Sequence, residues 1–141
     1  MISAVLDTNV LASGTVTASN PPGQILDRWL DGQFELVVSE HIIKELENTL
    51  NKPYFRKHLS LNTAVAFTEL LKNEATVAPI TIKVKGVATH PEDDLVMAAA
   101  VSGKVDYLVT GDGPLLRKAS NYKGVKLISP NDFLEVLKQQ V

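Results

Sequence analysis

Hydrophobic and polar positions along this chain fall into blocks whose period changes from one block to the next. Ile2 to Leu6 is an apolar run interrupted only by Ser3, which predicts a buried strand, and it stops abruptly at Asp7-Thr8-Asn9. Small and hydroxylated residues from Val10 to Asn20 predict the end of a first element and then a flexible loop. A helix is expected from about Pro22, because Ile25, Leu26, Trp29 and Leu30 recur at one-, three- and four-residue spacings before Asp31-Gly32 ends the pattern. Phe34 to Val38 predicts a second buried strand, with Ser39 in position to cap the helix that follows. That helix, Glu40 to Leu50, turns Ile42, Ile43, Leu46 and Leu50 inward and leaves Glu45 beside the apolar face.

Lys52-Pro53 breaks the helical pattern, and Tyr54 to His58 predicts a short helical piece. Ser60 caps a helix to about Ala75, whose buried stripe is Ala64, Phe67, Leu70 and Leu71. Thr76 to Val84 is β-branched around Pro79 and reads as an extended edge segment, since proline suits an edge better than a centre. A loop is expected over 86–91. Glu92-Asp93-Asp94 then opens an alanine-rich helix ending at Gly103, with acids at the positive end of the helix dipole. Tyr107-Leu108-Val109 is a further strand leading into Thr110-Gly111-Asp112-Gly113, and Pro114 to Ala119 makes a short helix. After a turn over Asn121 to Gly124 come a last strand, Val125 to Ile128, and a closing helix with Ser129 as cap and Phe133, Leu134, Leu137 and Val141 inside. Strands and helices that alternate in this way predict an α/β fold, a mostly parallel sheet covered by helices on both faces.

The 141 residues suit one domain, and 45% apolar with 21% charged residues is a soluble globular profile. No apolar run is long enough to span a bilayer, and the N-terminus lacks the pattern of a secretory signal, so a cytoplasmic location with no membrane partner is expected. Without cysteine there is neither a disulfide framework nor a thiolate metal site. A formal net charge of −2 argues against non-specific duplex coating but not against an enzyme that holds one strand briefly.

Charge matters more in its placement than in its sum. Asp7 ends the first strand, Asp112 lies just past a later one, Glu45 sits on the helix after the second strand, and Asp93-Asp94 open another helix. In a parallel α/β sheet these places share one edge, so the carboxylates can converge. Each has an ordinary explanation as a cap, an exposed helix residue or a turn, and for Glu45 or Asp93 alone that explanation is the better one. Jointly they point to a cation, because three or four ionised carboxylates cannot share a small space without one. Mg2+ or Mn2+ suits all-oxygen ligands. His41, His58 and His90 lack zinc-like spacing and are expected at the surface or in loops.

Leu6-Asp7-Thr8-Asn9, Glu45 within Ile43-Lys44-Glu45-Leu46, Asp93-Asp94 with the Leu95 to Ala100 run, and Leu108-Val109-Thr110-Gly111-Asp112 resemble, in order, the motifs of PIN-domain ribonucleases. The resemblance covers nearly the whole chain and is closest to the VapC-like toxins of toxin–antitoxin systems. It implies a single domain over 1–141, a three-layer α/β/α sandwich, and a Mg2+- or Mn2+-dependent endoribonuclease whose products carry a 5′-phosphate and a 3′-hydroxyl. Asp7, Glu45, Asp94 and Asp112 match the four acids, Asp94 being preferred because the family acid directly precedes the apolar run. Asp93 is then an outer acid, and Thr8, Asn9 and Thr110 match positions that hydrogen-bond the acids. The resemblance also implies an RNA substrate, a small antitoxin partner with a segment over the cleft, and a homodimer. One departure is Gly113-Pro114, where many members carry a further acid or a basic residue, and the loop from Ser13 to Gly23 is long for the smallest toxins.

For RNA contact, Lys52, Arg56 and Lys57 surround Tyr54 and Phe55, and Arg117, Lys118 and Lys123 follow Asp112. A solvated surface explains both groups equally well. Two other readings stand beside the nuclease. A haloacid-dehalogenase-like phosphatase would need a second aspartate where this chain has Asn9. A non-catalytic PIN-like module would keep its acids for stability or for binding RNA or a partner.

Overall fold

The computed structural model describes residues 1–85, 91–118 and 120–140, the side chains of 91–93 excepted. The first strand, β1 (Ser3–Leu6), runs directly into a helix, α1 (Thr8–Val16), which is followed by α2 (Pro21–Leu30) and β2 (Glu35–Val38). Then come α3 (Glu40–Leu50), α4 (Pro53–His58), α5 (Leu61–Glu74) and a two-residue strand, β3 (Thr76–Val77). The second half is α6 (Pro91–Ser102), β4 (Tyr107–Val109), α7 (Gly113–Lys118), the β5–β6 hairpin (Asn121–Tyr122 and Val125–Ile128) and α8 (Pro130–Lys138). Of the loop expected over 86–91, residues 86–90, His90 among them, lie outside the described residues, as do Ala119 and Val141, while Pro91 already opens α6.

The six strands form one sheet in the order β3-β2-β1-β4-β6-β5, parallel except for the β5–β6 pair. Lys123 and Gly124, both at positive φ, close that pair as a two-residue hairpin, so the expected turn carries a short strand of its own. The expected edge segment is at the edge, but its strand ends at Val77, and after one more bond, from the Ala78 N–H to the Val38 carbonyl at 2.8 Å, the pairing stops before Pro79. Helices α1, α2, α3, α5 and α8 pack on one another along the sheet, while α6 packs directly on β1 and β4. Strand order reverses between β3 and β4, so the right-handed rule for parallel connections assigns α6 to the face opposite the α1–α3 layer, consistent with its packing directly on β1 and β4 and with three layers. Phe133 of α8 meets Phe34 edge-on at 5.3 Å and Tyr107 at 5.5 Å, tying the closing helix to the start of β2 and to β4. Among the described residues no helix is long and apolar enough to cross a membrane.

The largest difference from the sequence reading is α1. Thr8 to Val16 is helical, so the loop shrinks to residues 17–20. Ser13, Gly14 and Thr15 are weak helix formers, which is why the segment reads as loop. Burial of Val10, Leu11 and Ala12 against the rest of the core supplies the missing stability. Two glycines allow the crossing of α1 and α2: a Cβ on Gly14 would collide with Leu26, and one on Gly23 with the carbonyl of Thr17. Asn20 caps α2 by accepting from the Gly23 N–H at 2.8 Å, which holds the 17–20 loop against that glycine.

The obstacle at Gly23 is backbone, which yields less readily than a side-chain tip. Gly23→Ala should therefore lower stability by about 1–3 kcal/mol. The check is a denaturant midpoint, and a midpoint equal to that of the unmutated chain would show that the loop moves aside at no cost.

Candidate functional site

Strand order reverses at β1, which pairs with β2 on one side and β4 on the other. In open α/β sheets the carboxyl end of such a switch point opens a crevice. Pairing of Leu6 with Val109 sets the register there, and the ladder continues one step as Asp7 N–H donates to the Val109 carbonyl at 2.9 Å. Thr110 is thereby placed beside Asp7, and its own N–H donates across to Ile128 on β6 at 3.0 Å.

The Thr110 hydroxyl, 1% exposed, joins the two strand ends. It donates to Asp7 Oδ2 at 2.9 Å and accepts from the Asp112 N–H at 3.1 Å. Its single proton is thus committed to Asp7, and one threonine orients both the carboxylate and the backbone of the Asp112 turn. Asp112 Oδ1 accepts from the Leu115 N–H at 3.2 Å and so caps α7. Asp7 occupies the corresponding position before α1, but its side chain makes no capping bond; only its carbonyl accepts, from Val10 and Leu11. Its carboxylate is aimed across the strands instead.

Burial raises the pKa of the Asp7 carboxyl above its ordinary value. The Thr110 hydroxyl and the backbone amides of Thr8 and Asn9 pull it back down, and the charge of Asp112 raises it further. Thr8 and Asn9 therefore act on Asp7 through the backbone; the Thr8 side chain is itself buried and that of Asn9 is exposed. An anion held here is disfavoured by its surroundings and by a second anion nearby.

Asp7, Thr8, Asn9, Gly111 and Asp112 line a cleft of about 490 Å³ whose other wall is α3, with His41, Glu45 and Thr49, continued by Lys52 at the start of α4; Val96 of α6 also borders it. Glu45 thus joins Asp7 and Asp112, as the sequence implies. Asp94, half-buried in the first turn of α6, is not among the lining residues. It stands two positions before Val96, about 200° around the helix. Asp93 has its side chain outside the described residues. Among the described residues no three candidate ligands already stand close enough together to hold an ion. The donor set still suits Mg2+ or Mn2+, because Mg2+ is commonly held by one or two carboxylates with several waters, and Asp7 and Asp112 supply two hard-oxygen donors.

The basic candidates divide. Arg56 and Lys57 are exposed on α4 and do not reach the cleft, whereas their neighbour Lys52 does. Tyr54, 60% exposed, packs on Phe55 and His58 at 5.0 and 4.9 Å. Arg117 and Lys118 are exposed on α7, and the Arg117 guanidinium lies over Gly113, beside Asp112. His41, expected at the surface or in a loop, stands half-buried in the first turn of α3 and borders the cleft, with Nε2 buried. His41, Glu45, Thr49 and Lys52 recur at four, four and three residues, so helical spacing counted outward from Glu45 identifies this face.

Carboxylates gathered at the switch point of a parallel α/β sheet stand where such folds open a ligand crevice. Residues 3–113 match the PIN domain family model, and the chain belongs to that family. Its fold is similar to the VapBC2 structure of Rickettsia felis, bound to a DNA fragment from the promoter, at 14% identity and a TM-score of 0.60, over 91% of this chain and 98% of that one. It is also similar to PAE2754 of Pyrobaculum aerophilum, at 17% identity and a TM-score of 0.59, over 99% of this chain and 97% of that one. No curated protein matches the chain in sequence. Family membership removes the dehalogenase-like alternative.

A raised carboxyl pKa has a defined sign. Above that pKa the folded protein carries a buried charge that the unfolded chain carries in water, and stability is lost as pH rises from the ordinary value near 3.8 through the raised one. Asp7→Asn removes that cost and keeps an acceptor for Thr110. It should melt at a higher temperature than the unmutated chain at pH 7, with the gap closing as the pH falls. A lower melting temperature at pH 7 would mean that the charge is compensated in the apo protein.

Proposed function

We propose that this chain is a Mg2+- or Mn2+-dependent endoribonuclease, the toxin of a toxin–antitoxin pair. The observation that carries the proposal is the Asp7 carboxylate. It is buried, opposed by Asp112 and oriented by Thr110 at the mouth of a cleft, an arrangement that costs stability unless a cation is to be bound there. Asp7 and Asp112 would hold the ion, with Glu45 across the cleft and a fourth acid from the start of α6, Asp94 or its neighbour Asp93. Bound there, a divalent cation orients the scissile phosphate, lowers the pKa of a water and stabilises a leaving oxygen.

The protein's own part is positional. Thr110 fixes the rotation of the Asp7 carboxylate, and the cap on α7 fixes Asp112. Glu45, which lines the cleft from α3, would accept the proton of the attacking water. Water adds to phosphorus, the 3′-oxygen leaves with a proton from solvent, and the products carry a 5′-phosphate and a 3′-hydroxyl. The Rickettsia felis neighbour is a VapBC2 complex, which supports an antitoxin as the partner here; a segment of that small protein would lie over the cleft.

The test is cleavage of a mixed RNA pool by the purified chain. Mn2+ or Mg2+ should support cleavage and excess chelator abolish it, while Asp7→Asn and Asp112→Asn fold but lose about 100-fold or more in rate. Because Asp94 stands off the cleft wall, Asp94→Asn should cost less than Asp7→Asn, with Asp93→Asn measured beside it. Full activity in Asp7→Asn would leave the protein a binding module.

A further inference from the structure

Three acids along one cleft repel a polyanion, and a net charge of −2 gives no general attraction to offset this. The substrate must therefore be held by groups of the opposite character close to the acids. The wall formed by α3 and the turn after it has two such groups. His41 Nε2 is buried and has no hydrogen-bond partner among the described residues, although the residue borders the cleft. A buried polar atom left unpaired is destabilising, and such atoms persist where something outside the chain completes them. One helical face further on, the exposed Lys52 borders the same cleft, and among the described residues the ion pairs found are those of Lys72 and Lys138.

We infer that this wall, α3 and the turn that follows it, holds the sugar–phosphate backbone of a single RNA strand, the His41 ring turning to bring Nε2 out of its buried position so that it donates to a non-bridging phosphate oxygen, and Lys52 pairing with an adjacent phosphate. The inference rests on the nuclease reading for the identity of the strand. It assigns the two sides of the cleft different work: the sheet edge, with Asp7 and Asp112, faces the reacting phosphorus, and α3 fixes the register of the strand. A neutral imidazole with its proton on Nε2 suffices, so the contact needs no charged histidine. Arg56 and Lys57, which lie off the cleft, are not part of this contact.

Binding of a fluorescein-labelled single-stranded RNA, followed by anisotropy in Mg2+, tests it in the Asp7→Asn chain, where cleavage does not interfere. Adding His41→Leu should weaken binding roughly tenfold, and His41→Gln, which keeps an N–H donor, should recover most of it. Lys52→Met, an exposed change without consequence for folding, should reduce the slope of log affinity against log salt by about 0.7. Undiminished affinity in both His41→Leu and Lys52→Met overturns the inference, as does absence of RNA binding by the parent. So does a His41→Leu chain that loses Mn2+ affinity in a metal titration while keeping its RNA affinity, since His41 would then serve the cation. If binding behaves as expected but the unmutated chain never cleaves RNA, the nuclease reading fails and the α3 contact stands. If it cleaves and the variants bind normally, only the α3 contact fails.

Discussion

The parallel pairing of β1 with β4 is the constraint on which the site depends. It sets Leu6 against Val109, and one residue later it delivers Asp7 and Thr110 side by side at the point where both chains leave the sheet. The Thr110 hydroxyl then has one geometry available, donating to Asp7 and accepting from Asp112. A slip of one residue in this register would turn the Thr110 side chain to the other face of the sheet. Buried apolar neighbours along both strands hold the register, so the core and the site are one structure viewed from two ends. At the opposite end of the same strand pair, Asp106 accepts from the N–H of Ser3 at 3.0 Å, which pins the register from behind.

Polar groups in this cleft are strained in complementary ways. Asp7 is an anion in a place that disfavours anions, and His41 has a buried nitrogen without a partner. Either alone is an ordinary imperfection. Together, on facing walls of one crevice, they are the two observations on which the proposed divalent ion and phosphodiester rest. The stability lost at such positions is what a binding site retains as affinity.

Much of this was legible in the chain. The strand ends at Leu6 and Val109 each meet a polar cluster, and that alone placed Asp7, Asp112 and the parallel α/β sheet, because the alternation of periods follows from burial on two faces. What escaped the sequence depended on contacts across the chain. Helix α1 forms from weak helix formers because its neighbours bury Val10, Leu11 and Ala12, and no local propensity reports that. His41 was read by its spacing to other histidines, when the informative spacing was to Glu45 one turn later. Strand β5 exists only as the partner of β6, too short to register in any pattern of its own.

The departure at Gly113 takes on a different meaning in three dimensions. Many members of the family carry a charged residue just past the fourth acid, and here the sequence offers glycine and then proline. The Arg117 guanidinium, one helical turn later on α7, folds back so closely that a Cβ on Gly113 would lie 3.1 Å from Arg117 Nη1. A side chain at 113 would press on the tip of this arginine, which would have to give by a few tenths of an ångström. Glycine leaves the guanidinium undisturbed, so a positive charge stands over position 113 although the residue there carries none. An absent motif residue is thus weak evidence of an absent function, because a helix can return the same charge to the same place from four residues away.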